Sequence, residues 1–260
     1  MELIHKTAII EPTAVIGKNC KIGAYSYVGP NVVMGDDNEV GMHAVIEGNT
    51  TIGRGNKFFT GAVIGSLPQD LKYAGEKSYL VVGDNNQFRE YVDVNVAVGE
   101  GAKTIIGSGN LFMVYVHVAH NCVIHDRAVL ANCATLAGHV TLENNVIVGG
   151  LAGVHQFVKV GTYAMIGGLS KITMDVMPYC TADGRDEIKI CGLNTVGLTR
   201  AGFDKESVSA LKKAYKIFFR SGLTKVEAVA KICETFDTSK FKLVSSFVEF
   251  AKTSERGILR

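Results

Sequence analysis

Every sixth residue along most of this chain is apolar, and this repeat constrains the fold more than any other feature. The series runs from Ile10 to Ile172 and is broken only at Asp70, Glu76 and Glu100. A helix would need a period near 3.6 residues and a half-buried strand a period of 2, so neither element explains it. Short strands joined by sharp turns, with one large side chain inward per turn, do explain it.

The residues beside the apolar position are also periodic. Glycine often follows it, as at Gly17, Gly23 and Gly35, where we expect a tight turn that needs a permissive backbone. Two residues before it the side chains are mostly small, as in Ala14 and Ala62. The sequence therefore predicts an all-β parallel β-helix, with coils of roughly 18 residues and about nine coils.

Two interruptions of the repeat predict loops that leave the β-helix. The first, "SLPQDLKYAGEKS", predicts a loop near 66–79, and the second, "NVAVGEGAKT", covers 95–104. The six-residue frame resumes in phase after each, as expected for insertions at a corner of a coil. Loops that leave a rigid scaffold often carry function, although a simple solvated excursion is the alternative.

The repeat stops near residue 180, where helical patterns begin. The stretch "FDKESVSALKKAYKIFFRSG" has apolar residues at helical spacing. Gly222 is expected to end this helix, and Thr224 with Glu227 predicts a capping box that opens the next one. The sequence therefore predicts a hexapeptide-repeat β-helix over 1–180 and a small α-helical C-terminal domain over 181–260.

Composition restricts the classes of function. The formal net charge is +2, so no strong field favours a nucleic acid partner. No apolar run is long enough for an integral membrane segment, and "MELIHKTAII" lacks the features of a signal peptide, so we expect a cytoplasmic protein. The 6 cysteines form no CxxC pair, which favours free thiols over disulfides or a cysteine zinc site.

The length of the coil predicts which side chains meet. Residues about 18 apart stack in neighbouring coils about 4.8 Å apart. His120 is therefore expected to stack on Gly138 and Gly138 on Gln156, while His117 shares a face with Lys171. Polar and glycine positions converge on one side, as a ligand site requires, although exposed polar strand corners would give the same pattern.

Three histidines, His117, His120 and His125, lie within "VYVHVAHNCVIHD" (114–126) and allow two chemistries. His120 and His125 have the HxxxxH spacing of the β-helical carbonic anhydrases, in which histidines from neighbouring subunits hold zinc. Against zinc, His125 occupies a glycine-type corner position, and that family has no counterpart of the 66–78 loop. Imidazole is equally suited to general-base catalysis, which needs no metal.

Several motifs in order closely resemble those of the UDP-N-acetylglucosamine acyltransferases, which are hexapeptide-repeat enzymes with a left-handed β-helix. They are "LPQDLKYAGE", "HVAHNC", "LANCATLAGHV", "GVHQF" and "YKIFFRSG", and the resemblance covers nearly the whole chain. It implies the first step of lipid A biosynthesis. In that step an (R)-3-hydroxyacyl group moves from acyl carrier protein to the 3-position of a UDP-linked amino sugar. It also implies a homotrimer with sites between protomers, and no metal or cofactor.

The resemblance further implies roles for individual residues. His120 matches the catalytic base, and Gly138 matches the residue whose backbone N–H stabilises charge on the thioester oxygen. His117 is expected to contact a ligand. The other predicted substrate contacts occupy positions where the family binds its substrates, although Asn95 and Lys171 differ from its usual histidine and glycine. They are Gln69, Asp70, Lys72, Asn95, His139, His155, Gln156, Gly168, Lys171, Asn194 and Arg200. Among these, Lys72 is placed to meet phosphate, while Gly168 and Lys171 lie where the family measures acyl-chain length.

Three residues depart from the family's pattern and leave the acceptor open. Asn121 stands where an aspartate typically orients the catalytic histidine, so we expect a weaker base. Asn95 replaces a histidine, and Val196 replaces a glutamate. An amine is more nucleophilic than a hydroxyl and asks less of its base. Both UDP-N-acetylglucosamine and its 3-amino analogue therefore stay candidate acceptors.

Two alternatives concern partners and class. Lys212, Lys216 and Arg220 form a basic stripe at helical spacing, which suits docking of an acidic carrier protein but equally an ordinary solvated face. A catalytically silent β-helical scaffold is the alternative of a different class. The column of His120 and Gly138, together with the intact first loop motif, argues against a scaffold.

Overall fold

The computed structural model describes residues 3–184 and 187–260, and it has the predicted parallel β-helix. Short strands form three sheets, which are the faces of a triangular prism. The first sheet has nine strands: Ile9–Ile10, Tyr27–Val28, Val45–Ile46, Val63–Ser66, Asp93–Asn95, His117–Val118, Thr135–Leu136, Gly153–Val154 and Lys171–Ile172. The second has eight: Val15–Ile16, Val33–Met34, Thr50–Ile52, Tyr79–Val82, Lys103–Ile106, Val123–Ile124, Thr141–Leu142 and Lys159–Val160. The third has ten: Lys21–Ile22, Glu39–Val40, Lys57–Phe58, Gln87–Phe88, Leu111–Phe112, Val129–Leu130, Ile147–Val148, Met165–Ile166, Cys180–Asp183 and Lys189–Leu193.

The apolar residue of each hexapeptide fills the interior of the prism. Ile46 and Ile64, for example, are completely buried. The rings of Phe58, Phe88 and Phe112 stack along the prism axis, with centroids 5.0 and 4.8 Å apart. Each fully buried side chain of this size contributes about 1.5–3 kcal/mol. The repeat therefore supplies both the core and the register of the coils.

The glycines of the repeat have a different role from the one predicted. A Cβ on Gly35 would lie 2.8 Å from the carbonyl oxygen of Gly53 in the next coil, and Gly17 and Gly23 are equally close to backbone. None of these three has a positive φ angle; the left-handed residue comes two positions after Gly35, at Asp37 with φ 60°. The prediction of a permissive backbone was therefore wrong, because close approach between coils is what requires glycine there.

Two loops leave the β-helix at the edge between the first and second sheets, which we call the first edge. The first loop is 67–78 and the second loop is 96–102. In a coil without a loop, His117 pairs with Thr135. Asp93 and His117 pair in the same way, although the second loop lies between them in the sequence. The loops thus lengthen two coils without changing the inward-facing frame, and both emerge beside His120.

The helical part begins after an antiparallel pairing of Cys180–Asp183 with Lys189–Leu193, which the sequence prediction did not include. Thr224 and Glu227 form the predicted capping box, and Gly222, with φ 73°, follows the last turn of the preceding helix. No helix in the described part of the chain is long and apolar enough to cross a membrane. The domain division at residue 180 stays a prediction. Residues 3–184 and 187–260 contain four helices: α1 (Thr195–Arg200), α2 (Lys205–Arg220), α3 (Lys225–Thr235) and α4 (Lys242–Thr253).

Candidate active site

The first edge carries a stack of polar and aromatic residues. The His139 N–H donates to the His120 carbonyl at 3.0 Å, and the Phe157 N–H donates to the Gly138 carbonyl at 3.1 Å. The His139 ring stacks on Phe157 with centroids 4.5 Å apart and meets the His120 ring edge-on at 5.3 Å. The stacking predicted from the coil length therefore occurs, and it places two imidazoles on one surface.

The His120 ring lies directly against Gly138. A Cβ on Gly138 would be 2.6 Å from His120 Nε2, so no larger residue fits beneath the ring in this position. Within the described residues, the Gly138 N–H donates no backbone hydrogen bond. A backbone donor beside an imidazole is an arrangement that can stabilise developing negative charge while a proton is transferred.

Asn121 fixes the tautomer of His120. The Asn121 Oδ1 atom accepts the Val98 N–H at 2.9 Å, and its Nδ2 donates to the Val98 carbonyl at 3.1 Å. These two contacts set the amide orientation, so the atom 2.8 Å from His120 Nδ1 is an acceptor. His120 must therefore carry its proton on Nδ1, which leaves the lone pair of Nε2 free to take a proton.

The free nitrogen of His120 faces a carboxylate. Asp70 of the first loop places Oδ2 3.7 Å from His120 Nε2, and the two side chains are 29% and 14% exposed.

The pKa of the neighbouring His139 is lowered by burial and lowered further by the charge of His120, while Asp70 partly opposes both effects. His139 therefore stays neutral at neutral pH and does not compete with His120 for charge.

His117 belongs to a second polar cluster next to this one. Its Nδ1 lies 2.8 Å from Asp93 Oδ2, and Asp93 also accepts from the Ser66 hydroxyl at 2.7 Å. Burial alone would raise the pKa of Asp93. Hydrogen bonds from His117, Ser66 and Asn95 and the charge of His117 together lower it below its ordinary value. Asn95 is almost completely enclosed, and its Oδ1 has no partner among the described residues.

The remaining predicted contacts at the first edge are exposed. Gln69 and Lys72 lie on the first loop, and Gln156 follows His155 in the stack. The guanidinium of Arg256 lies 2.8 Å from His155 Nδ1. Arginine can only donate, and its 2.8 Å contact is much shorter than the 3.4 Å approach of His155 Nδ1 to the Gln156 carbonyl. The neutral ring of His155 therefore carries its proton on Nε2, the opposite tautomer to that of His120. His155 therefore presents a hydrogen-bond donor to solvent.

Asn194 and Arg200 lie on another side of the prism. The Asn194 Oδ1 accepts the Gly197 N–H at 2.9 Å as the cap of α1, and its Nδ2 donates to the Tyr163 carbonyl at 3.0 Å. Arg200 is exposed and lines a cleft of about 610 Å³ along the third sheet, together with Tyr163 and Met165. The third sheet is the face opposite the first edge, so one chain does not bring these residues to His120.

Three further residues have positions that bear on the predictions. Lys171 is exposed on the face of His117, three coils away, as expected. Gly168 is exposed and lies against the backbone of the preceding coil. His125 is exposed at the edge between the second and third sheets, where its charge acts on Glu143.

Within the described residues, no three His, Cys, Asp or Glu side chains form a metal-ligand group.

Sequence reasoning identified Asn121 as the partner of His120 but missed the partners of His117 and His155. Asp93 is 24 residues from His117, because the second loop adds six residues to an 18-residue coil. Removing the insertion before counting would have placed Asp93 beside His117. Val98 contacts Asn121 through its backbone, and Arg256 lies near the end of the chain, far in sequence from His155. No sequence pattern marks either residue as a partner.

Comparison with known proteins identifies the family of the chain. The family model described as "Udp N-acetylglucosamine O-acyltransferase; Domain 2" matches residues 175–259, and the bacterial transferase hexapeptide model matches residues 3–35 and 103–138. The acyl-[acyl-carrier-protein]–UDP-N-acetylglucosamine O-acyltransferase of Aliarcobacter butzleri is 51% identical over 259 residues. The alignment covers 99% of this chain and 98% of that protein.

Solved structures give the same result. The UDP-N-acetylglucosamine O-acyltransferase of Moraxella catarrhalis matches with a TM-score of 0.95 at 40% identity, over 100% of both chains. The UDP-N-acetylglucosamine acyltransferase of Campylobacter jejuni matches with a TM-score of 0.91 at 39% identity, over 98% of both chains. These matches confirm the predicted left-handed β-helix followed by a helical part. The chain is thus an acyltransferase and belongs to the UDP-N-acetylglucosamine O-acyltransferase family.

Proposed function

We propose that this enzyme transfers an (R)-3-hydroxyacyl chain from acyl carrier protein to the 3-position of UDP-N-acetylglucosamine or of its 3-amino analogue. The observation that carries the proposal is the free Nε2 of His120, held by Asn121 against Gly138. The names of the relatives supply the donor and acceptor classes, namely an acyl carrier protein and UDP-N-acetylglucosamine. The reaction is the first step of lipid A biosynthesis.

The geometry suits acyl transfer without a covalent enzyme intermediate. His120 Nε2 removes the proton from the acceptor group as it attacks the thioester carbonyl. The Gly138 N–H donates to the oxygen that becomes negative. When the carbon–sulfur bond breaks, the imidazolium of His120 returns the proton to the carrier thiolate. The products are the acylated sugar nucleotide and the free carrier thiol, so every atom and proton is accounted for.

The preferred acceptor depends on how strongly the base must assist the attacking group. Asn121 orients His120 but, unlike an aspartate, brings no full charge to stabilise the imidazolium, so the base receives no electrostatic help from that position. An amine with a populated neutral form tolerates a weak base better than a hydroxyl does. The 3-amino sugar nucleotide should therefore turn over at least as fast as UDP-N-acetylglucosamine. Faster turnover of the hydroxyl substrate, with both at saturation, would contradict this inference.

The separation of the site residues supports a homotrimer. His120 lies at the first edge, whereas the Arg200 cleft lies on the opposite face of the same prism. A threefold arrangement would place the first edge of one subunit against the third sheet of the next and unite the two groups. Phe157 is 50% exposed and Leu71 fully exposed beside the first edge, so an apolar surface is available for such contact.

Two further proposals concern partners and location. Lys212, Lys216 and Arg220 are exposed along α2 and line a cavity of about 300 Å³, which suits the docking of an acidic carrier protein.

We place the enzyme in the cytoplasm. Its cysteines are all free and three are buried, which fits a reducing compartment.

Mass spectrometry of the products tests the proposal. The purified enzyme is incubated with a 3-hydroxyacyl carrier thioester and either sugar nucleotide. We expect one acyl group on the sugar, in an ester or an amide, and no requirement for zinc. Carrier thiol released without an acylated sugar would contradict the proposal, and zinc-dependent activity would favour the carbonic anhydrase alternative.

A further inference from the structure

The first loop brings Asp70 to His120 although most of the loop has little support of its own. Gln69, Leu71 and Lys72 are exposed, and Leu71 has no burial at all. Among the described residues, the Asp70 carboxylate accepts only the nearby Lys72 N–H, at 2.9 Å, so its Oδ2 is kept 3.7 Å from His120 Nε2 by contacts that hold the loop as a whole. A displacement of about 1 Å at a catalytic site is enough to affect turnover, so those contacts bear on the reaction.

The carboxylate of Glu76 joins the two loops, beside the hydrogen bonds that Lys77 makes with Glu100 and Gly101. One oxygen accepts the Ala74 N–H within the first loop at 2.9 Å, and the other accepts the Gly99 N–H of the second loop at 2.9 Å. Backbone hydrogen bonds, with Glu76 itself, Ala74 and Gly99, hold the pKa of Glu76 below its ordinary value. Glu76 therefore stays ionised near neutral pH and joins the two loops through both oxygens.

The second loop is in turn fixed to the base. Val98 precedes Gly99 and makes both of its backbone contacts to the side chain of Asn121, which also holds His120. The contacts thus form a closed ring from His120 through Asn121, the second loop and Glu76 to the first loop. Asp70 returns from that loop to the free nitrogen of His120.

We propose that Glu76 is a positioning residue that sets the distance between Asp70 and His120 by clamping the two loops together. This inference rests on the proposed function and on the role that the family resemblance implies for Asp70, a contact to the acceptor sugar nucleotide. The Glu76 side chain faces backbone N–H groups of the loops and reaches the substrate only through residues of the first loop, of which Asp70 is the one that approaches His120. Its removal should therefore weaken acceptor binding and leave the carrier thioester site unaffected.

The variant Glu76→Gln separates these effects. An amide has one oxygen, so it cannot accept both N–H groups, although its shape is the same. Loss of one charged hydrogen bond should raise the KM for the sugar nucleotide about tenfold. The KM for the carrier thioester should change by less than about twofold. Glu234→Gln, on an exposed turn of α3, is the matched control and should change neither constant.

A double-mutant cycle tests the route through Asp70. If Glu76 acts only by placing Asp70, then Glu76→Gln should cost little more in the Asp70→Asn background, because coupled residues are not additive. Fully additive losses would overturn the proposal, as would an unchanged KM for the sugar nucleotide.

Amide hydrogen exchange gives a readout that needs no activity. We expect faster exchange in both loops of Glu76→Gln, and unchanged exchange would overturn the clamp. Absence of acyl transfer by the wild type would instead overturn the proposed function.

Discussion

The ring of His120 occupies the space that a side chain on Gly138 would need. His120 Nε2 would lie 2.6 Å from a Cβ at that position, and the ring carbon Cε1 is equally close. The two residues stack in neighbouring coils, so neither can move along the sheet without breaking the register of the β-helix. The identity of Gly138 is therefore set by the His120 ring above it.

The variant Gly138→Ala should displace the ring and reduce activity at least tenfold, because a base shifted by about 1 Å loses its alignment. The melting temperature should fall by only a few degrees, since the rest of the coil is unchanged. In the His120→Ala background the clash is absent, so Gly138→Ala should then cost no further stability. A Gly138→Ala enzyme with wild-type kcat would contradict this account.

The variant His120→Ala should retain its fold and lose most of its activity. Removal of a general base typically lowers the rate about 10²–10⁴-fold. His125→Ala is the matched control, because His125 is exposed on another edge of the prism and should leave the rate within about twofold. If His120→Ala keeps activity within threefold of the wild type, while folded, His120 is not the base.

The variant Asn121→Asp should change two properties together. A carboxylate stabilises the imidazolium form of His120, so the acid limb of the rate profile should move to higher pH. An oxygen replacing Nδ2 would also face the Val98 carbonyl, now its partner at 3.1 Å, and the second loop would lose that anchor. We therefore expect a raised KM for the sugar nucleotide. A profile of kcat/KM against pH that does not move would refute the assigned role of Asn121.

The contacts at the site differ in how far sequence could predict them. The pairing of His120 with Gly138 follows from coil length alone, because an uninterrupted coil allows only one register. The pairing of Asp93 with His117 depends on the length of an insertion, and it becomes visible only when that insertion is subtracted. The approach of Asp70 to His120 depends on the path of an extruded loop, for which the repeat contains no information.

The variant Asp93→Asn should lower stability in a pH-dependent way. The pKa of Asp93 is lowered in the folded state, since the hydrogen bonds and the His117 charge outweigh burial. A carboxyl of this kind stabilises the fold above its unfolded value of about 3.9, and the contribution is lost as the pH falls through the folded value. We expect a melting temperature about 2–4 °C lower than that of the wild type from pH 7 to pH 5. This difference in melting temperature should disappear only below about pH 4. A difference that grows in acid would contradict the lowered pKa of Asp93.

The acyl chain has a candidate path along the first sheet between His117 and Lys171. The strand register places Thr135 and Gly153 between them, and a Cβ on Gly153 would contact nothing within 4 Å. Three coil steps of about 4.8 Å make this strip about 14 Å long. A small, open strip of that length, with a lysine at its far end, suits a chain of limited length.

Lys171 is therefore the residue predicted to limit the chain. Its methylene stem can pack across the end of the strip while the ammonium stays in water. The wild type should then prefer 3-hydroxyacyl chains somewhat shorter than the longest that the family uses, and Lys171→Ala should accept longer donors. Competing carrier thioesters of graded length, assayed on both enzymes, measure this. Lys21→Ala, exposed on the third sheet, is the control and should leave the profile unchanged. If the profile of Lys171→Ala is also unchanged, the side chain points away from the strip and the limit lies elsewhere, with Gly168 the next position to enlarge.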